Sequence, residues 1–165
     1  MNPPFKGKPP RLREVFHVYD SPVYFVTFCT YERRPLLACK AVHEAFRRYA
    51  EQGAAEKLAM VGRYVIMPDH VHVFVCGGRE FDVGLWVRGL KRVIGNAINP
   101  SKTTAAGTAA STTTWQPGFF DHLLRNSESY EQKWWYVREN PARSGLVKQA
   151  EDWPYQGEIV AIDRV

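Results

Sequence analysis

An α+β fold of the ferredoxin-like type follows from three features of the sequence. Segments with strand and helix character succeed one another in the order strand, helix, strand, strand, helix, strand, helix. The middle two strands are separated only by Pro68-Asp69, a turn signal that joins hairpin strands. Both long helical segments carry a single apolar stripe, as helices do when they lie on a sheet. The first six elements therefore predict a β-α-β-β-α-β antiparallel sheet with helices on one face, followed by an additional C-terminal helix.

The elements follow in order. Residues 1–15, rich in Pro, Gly, Lys and Arg, predict a flexible basic arm ahead of one domain spanning 16–165. The run Val23-Tyr-Phe-Val-Thr-Phe-Cys-Thr30 is aromatic and β-branched, hence a buried strand. Leu36 to Glu51 reads as a helix, with Leu37, Val42, Ala45, Phe46 and Tyr49 on one stripe. Leu58 to Met67 and His70 to Cys76 are the hairpin strands. From Asp82, the residues Val83, Trp86, Val87, Leu90, Val93, Ile94, Ala97 and Ile98 keep helical spacing until Asn99-Pro100, with Arg88, Lys91 and Arg92 on the other face. Ser101 to Thr114 is a low-complexity loop of Ser, Thr, Ala, Gly and Lys. Trp115 to Asp121 then predicts a short strand, and Ser127 opens a helix that Pro141 and Gly145 end.

Composition narrows the classes of function. The 165 residues are 45% hydrophobic and 24% charged, which excludes a disordered chain. Lys and Arg exceed Asp and Glu by 22 to 17, and a net charge of +5 favours a polyanionic partner without identifying it. The three cysteines, Cys29, Cys39 and Cys76, form no CxxC pair, so neither a disulfide framework nor a cysteine zinc site is expected. No signal-peptide core and no membrane span are seen, and the expected location is a reducing cytoplasm.

In Met67-Pro-Asp-His-Val-His-Val-Phe-Val75, strand alternation turns Val71, Val73 and Val75 one way and His70, His72 and Phe74 the other. The histidine Cα atoms are expected roughly 6.5 to 7 Å apart, a separation at which both imidazoles can converge on one cation. A His-x-His pair has a second reading, two polar residues on the exposed face of a half-buried strand, and two ligands do not make a site.

The C-terminal helix holds two tyrosines on different faces. With Tyr136 as zero, Tyr130, Trp134, Val137 and Pro141 fall between about 100° and 160°, an apolar stripe that assigns Tyr130 to the core. Ser129, Lys133, Tyr136 and Asn140 cluster within about 60° on the polar side. An outward tyrosine is common as a partly exposed residue, and Asn before Pro commonly ends a helix; the same spacing also lets the Asn140 carbonyl serve as a hard oxygen ligand one turn from Tyr136.

Taken together, His70-Val-His72 after Met67-Pro-Asp69, the stretch Tyr136-Val-Arg-Glu-Asn-Pro141 and Ser144-Gly-Leu-Val147 resemble the tyrosine transposases of the IS200/IS605 type, and in particular their REP-associated branch. Trp153-Pro154 and Phe25-Val-Thr-Phe28 leading to Arg33-Arg-Pro-Leu-Leu37 also fit, so the likeness runs from about Arg13 to about Trp153. The resemblance implies that His70 and His72, as the HUH motif, and Asn140 bind a divalent metal, Mg²⁺ or Mn²⁺, and that Tyr136 is the nucleophile. It implies cleavage of single-stranded DNA beside a hairpin through a 5′-phosphotyrosine, with strand transfer. The implied partner is single-stranded or hairpin DNA, and the monomer or homodimer state stays open.

The residues bear on such chemistry directly. A phenol with pKa near 10 is protonated at neutral pH and needs help to attack a phosphodiester. A metal on two neutral imidazoles and a neutral amide keeps its full charge for phosphate. Lys133, Arg88, Lys91, Arg92, Arg138 and Arg143 are candidate phosphate contacts, with solvated surface charge as the other reading of each. Two further functions remain compatible with the sequence: a non-catalytic single-stranded nucleic-acid-binding module on the same framework, and a metal-dependent hydrolase in which water attacks.

Overall fold

A computed structural model of the chain describes residues 22–100, 114–124 and 127–162. The expected basic arm and loop positions 101–113 lie outside these residues. Five strands, β1 (Val23–Cys29), β2 (Ala59–Ile66), β3 (His70–Gly77), β4 (Phe120–Leu124) and β5 (Gln156–Glu158), form one sheet in the order β4-β1-β3-β2-β5, with every neighbouring pair antiparallel. This is the predicted α+β sheet, extended beyond β2 by a strand whose Gln-Gly-Glu sequence carries no alternation to read.

Helices α1 (Lys40–Ala55) and α2 (Val83–Ile98) cover one face. Val71, Val73 and Val75 point into it and pack with Val26, Phe28, Phe46, Tyr64, Leu90 and Ile94, all almost fully buried. Helix α1 starts four residues later than Leu36. Leu37 is buried as expected but from an extended segment, because its N–H donates to the Pro68 carbonyl (2.9 Å) and is lost to a helical ladder. Helix α2 begins where expected, and the Asp82 carboxylate accepts from Leu85 N–H (2.9 Å), satisfying one of the open donors of the first turn.

The other face is covered by α3 (Ser127–Arg138), so the C-terminal helix lies across the sheet from α1 and α2. Its Tyr130 and Val137 are buried against Phe25, Phe74, Cys76 and Leu124, with Trp153 closing the cluster by donating its indole N–H to the Ile66 carbonyl (2.9 Å). The helix is not continuous to Pro141. It stops at Arg138, and a one-turn helix α4 (Asn140–Arg143) follows. Pro141 has no N–H for the Val137 carbonyl, so the ladder breaks there and restarts with proline in the new first turn.

Strand β2 carries the feature that seats α3. Between the pairs Val61↔Val75 and Tyr64↔Val73, the two residues Gly62 and Arg63 stand opposite the single residue Phe74, a β-bulge. The Arg63 N–H donates to the Tyr130 hydroxyl (3.1 Å), and a Cβ on Gly62 would lie 2.6 Å from that same oxygen. The Arg63 guanidinium reaches Glu131 of α3 (2.8 Å) and Glu158 of β5 (3.4 Å), and lies over the rings of Tyr130 and Trp134.

Strand β4 begins at Phe120, later than the Trp115 start expected, because Pro117 and left-handed Gly118 (φ 73°) interrupt the segment. Trp115 makes an isolated bridge to Thr30 and is a core residue whose indole N–H donates to the Lys91 carbonyl (2.9 Å). Among the described residues, no helix is long and apolar enough to cross a membrane.

Asp82→Ala removes the cap of α2 and is expected to lower the unfolding free energy by about 1 kcal/mol, measured by urea denaturation.

Candidate active site

The site grows out of the pairing of β1 with β3. Cross-strand partners share a face, so Thr27 stands beside His72 and Cys29 beside His70. On β4, Phe120 continues the Thr27–His72 row and His122 continues the Phe25–Phe74 row. The histidine face thus presents two imidazoles, a hydroxyl and exposed aromatic surface together. The imidazole centroids of His70 and His72 are 4.7 Å apart, with the rings nearly perpendicular.

Each ring is held through Nδ1. His70 Nδ1–H donates to the Asp69 carboxylate (2.6 Å), and His72 Nδ1 bonds the Thr27 hydroxyl (2.8 Å). Asp69 is fixed in turn by Arg33 (2.8 Å), while its carbonyl accepts from Thr30 N–H (2.9 Å). Arg33 Nη2 also lies 3.4 Å from His70 Nδ1, too long a contact to displace the carboxylate, and its Nη1 donates to Cys29 Sγ (2.8 Å). Glu32 and Arg33 both adopt left-handed backbone (φ 53° and 55°), an unfavourable conformation for residues with a Cβ, located where the chain turns the guanidinium toward Asp69. Among the described residues, neither imidazole Nε2 has a hydrogen-bond partner.

Electrostatics keeps both rings neutral. Burial pushes His70 below its ordinary value, against the partial compensation of Asp69. Burial pushes His72 down to about 3, helped first by repulsion from the neighbouring His70 and then by the positive charges of Arg33 and Arg143. Burial acts to raise the Asp69 carboxyl, but the hydrogen bond from His70 and the charge of Arg33 outweigh it, and its pKa lies below the carboxylate range. Neutral imidazoles with Nδ1 engaged and Nε2 open are the form in which histidine binds a cation, and the carboxylate behind His70 is the usual outer partner of such a ligand.

The two tyrosines of α3 separate as the helical angles predict. Tyr130 is 5% exposed and burial raises its phenol to about 12, whereas Tyr136 is 67% exposed. Tyr136 borders a cleft of about 390 Å³ lined by His122, Leu124, Ser129, Gln132 and Lys133, where α3 crosses β4. Lys133 Nζ lies 5.4 Å from the Phe25 ring centroid, and Phe25 stacks on His72 at 5.5 Å. Asn140 belongs to α4, and its side-chain oxygen accepts from Arg143, which also donates to the Tyr136 carbonyl (2.7 Å) and lies over the Tyr136 ring at 4.3 Å.

Among the described residues, no cluster of three or more His, Cys, Asp and Glu is arranged to hold a metal. A cation on this face would need donors beyond the two imidazoles, and a neutral amide oxygen such as that of Asn140 is a donor type that fits beside Nε2 atoms.

Residues 18–140 match the family described as Transposase IS200 like. The chain belongs to this family of transposases. A REP-associated tyrosine transposase of Escherichia coli is 29% identical over 96 residues, which are 58% of this chain and 52% of that protein, so the match spans about half the relative's length. A Haemophilus influenzae protein provisionally given the same name is 23% identical over 146 residues, 81% of this chain and 77% of its own. A solved REP-associated tyrosine transposase bound to a REP hairpin shares the fold, with a TM-score of 0.65 over 90% of this chain and 94% of that one at 20% identity.

In this member of the IS200-like family the candidate basic residues divide. Lys133 and Arg143 lie by Tyr136. Arg138, about 200° around α3 from Tyr136, pairs with Glu151 (3.3 Å) and lies over Trp135. Arg88, Lys91 and Arg92 are on α2, which covers the opposite face of the sheet. Lys91 is structural there: its ammonium donates to the carbonyls of Gln116 (3.1 Å) and Gly118 (2.5 Å), and burial lowers its pKa. Sequence reasoning gave no role to Asp69 and did not single out Thr27 or Arg33. The signal that finds Thr27 is the antiparallel register of β1 against β3, in which it faces His72.

The lowered histidine pKa values fix a pH dependence. Between 6.5 and about 3 the unfolded chain binds protons that folded His72 refuses, so stability is present above this window and is lost as pH falls through it. Denaturant melts from pH 7 to pH 4 should show unfolding free energy falling with a slope of up to about 1.4 kcal/mol per pH unit for each such histidine, and His72→Gln should flatten the curve.

Proposed function

We propose that this IS200-like transposase is a metal-dependent single-stranded DNA endonuclease and strand transferase that cuts beside a hairpin of the REP type, with Tyr136 as nucleophile and His70, His72 and Asn140 as metal ligands. The observation that carries the reading is the pair of neutral imidazoles, each tethered through Nδ1 with Nε2 open, on the face of the sheet that the Tyr136 helix covers. Membership of a transposase family and the hairpin DNA bound by the structural relative support the choice of substrate.

The residues have the following parts. His70 and His72 would hold Mg²⁺ or Mn²⁺ through Nε2, and Asn140 through its side-chain carbonyl. Such an ion supplies Lewis-acid polarisation of a phosphate and charge neutralisation in an in-line displacement. Asp69, which can only accept, holds His70 in the tautomer that offers Nε2, and the Thr27 hydroxyl orients the His72 ring through Nδ1. The Tyr136 oxygen attacks phosphorus as its phenolic proton is lost, the bond from phosphorus to the 3′-oxygen breaks, and the departing oxygen takes up a proton to become a free 3′-OH. The product is a 5′-phosphotyrosine. Rejoining is the same displacement with a 3′-OH as the attacking group.

Exposed Tyr136 has room to approach a DNA strand, while buried Tyr130, engaged by Arg63, has none. Lys133 and Arg143 are the cations of the site face that would meet phosphates next to the cut, and exposed Phe120 offers a surface on which an unpaired base can stack. Arg88 and Arg92, on the far side of the sheet, would contact DNA only beyond the site.

Incubation of hairpin DNA carrying a single-stranded flank with Mn²⁺ should give a covalent protein–DNA adduct on denaturing gels. Tyr136→Phe should abolish it, and Tyr130→Phe should retain it at a stability cost of about 1 kcal/mol. An adduct that survives Tyr136→Phe rejects the nucleophile assignment, and cleavage with no adduct favours attack by water. Asp69→Ala leaves His70 without its orienting carboxylate and is expected to weaken Mn²⁺ binding about 10-fold to 100-fold, read by calorimetry.

A further inference from the structure

Arg143 makes contacts that the proposed ligand set does not use. From α4 its guanidinium reaches back over the break at Glu139, donates to the carbonyl of Tyr136 (2.7 Å), donates to the side-chain oxygen of Asn140, and covers the Tyr136 ring at 4.3 Å. One exposed side chain thereby joins the proposed nucleophile to the proposed oxygen ligand, across the point where the helical ladder is interrupted. Its charge also reaches His72.

The oxygen that Arg143 holds is the one the ion needs. An amide oxygen has two lone pairs, so geometry alone would let it serve both. Charge does not: a guanidinium and a dipositive ion on one neutral oxygen repel strongly at that range, and the imidazoles supply no negative charge to offset it. The one anion bonded to the histidine pair, Asp69, is already paired with Arg33.

We propose that Arg143 is a positioning residue that competes with the divalent ion for the Asn140 side-chain oxygen, holding Asn140 and Tyr136 together until the ion takes the amide. The inference rests on the ligand set of the preceding section. Loading the ion then releases a guanidinium beside Tyr136, where it is available to a DNA phosphate. In this arrangement ion entry and the freedom of the Tyr136 ring are two sides of one exchange.

The test measures Mn²⁺ binding to the DNA-free full-length chain by calorimetry or by the paramagnetic resonance of free Mn²⁺, in a double-mutant cycle. Arg143→Ala is expected to bind Mn²⁺ about tenfold more tightly than the parent, the effect of removing one charge-assisted hydrogen bond from the competing state. Asn140→Ala should erase the gain, so that Asn140→Ala and the double variant bind alike. Arg143→Lys, which keeps the charge but lacks the planar fork, should fall between parent and Arg143→Ala. Unchanged or weaker binding in Arg143→Ala overturns the proposal, and so does an equal gain in the Asn140→Ala background, which would mark a field effect without competition for the amide. His70→Ala and His72→Ala separate the two levels: if neither weakens Mn²⁺ binding, the ligand set itself is wrong. Circular dichroism of each variant establishes that the fold is retained.

Discussion

The histidine face depends on the way α3 is fastened to the bulge in β2. Because Gly62 and Arg63 together oppose Phe74, the Arg63 N–H donates to Tyr130, and because Gly62 has no side chain, the Tyr130 ring can come close enough to accept. The guanidinium of Arg63 then binds α3 and β5 at once through Glu131 and Glu158. A buried phenol hydrogen-bonded to backbone fixes the rotation of α3 as well as its position. Once Tyr130 is turned inward, Tyr136, at about 240° from it on the helical wheel, is turned out. The orientation of the exposed tyrosine is thus decided six residues away from it, by a pair of residues on a strand.

A second constraint is the balance of charge around the imidazoles. Arg33 and Arg143 bring positive charge to a partly buried pair of rings, which discourages protonation, and the single carboxylate at hand is spent on orienting His70 and pairing Arg33. The result is a neutral, oriented pair. A surface His-x-His would be solvated and free to rotate; this one is held on both rings by partners on neighbouring backbone.

Which parts of this were legible in the sequence follows from how local each one is. The opposed faces of β3 depend only on alternation along one strand, and the divergence of Tyr130 and Tyr136 only on helical pitch, so both are readable from a dozen residues. Thr27 becomes a partner of His72 through the β1–β3 register, and Arg33 reaches Asp69 through two left-handed residues that no apolar pattern signals. The bulge at Gly62-Arg63 is a single extra residue inside a strand-like run. Strand β5 is three residues with no alternation, and exists because β2 offers it an edge. The late start of α1 has the same origin: a carbonyl from the hairpin turn captures the Leu37 N–H, an event between segments distant in sequence. Pro141 does signal a helix end, but not that the chain resumes as a new helical turn whose Arg143 folds back onto Tyr136.

Strand β3 has buried valines on one side and the two imidazoles on the other, with packing on both. A slip of one residue in its pairing would exchange these sets, pushing two imidazoles into the main core and three valines into the site. The cost falls on both layers together, so the register is proofread from two directions. An assembly able to gather His70, His72 and their tethers is for that reason also one in which β1 and β3 have paired in the correct register. The histidine pair with its tethers is therefore a product of correct register: a molecule in which β3 has slipped against β1 has no partial version of it.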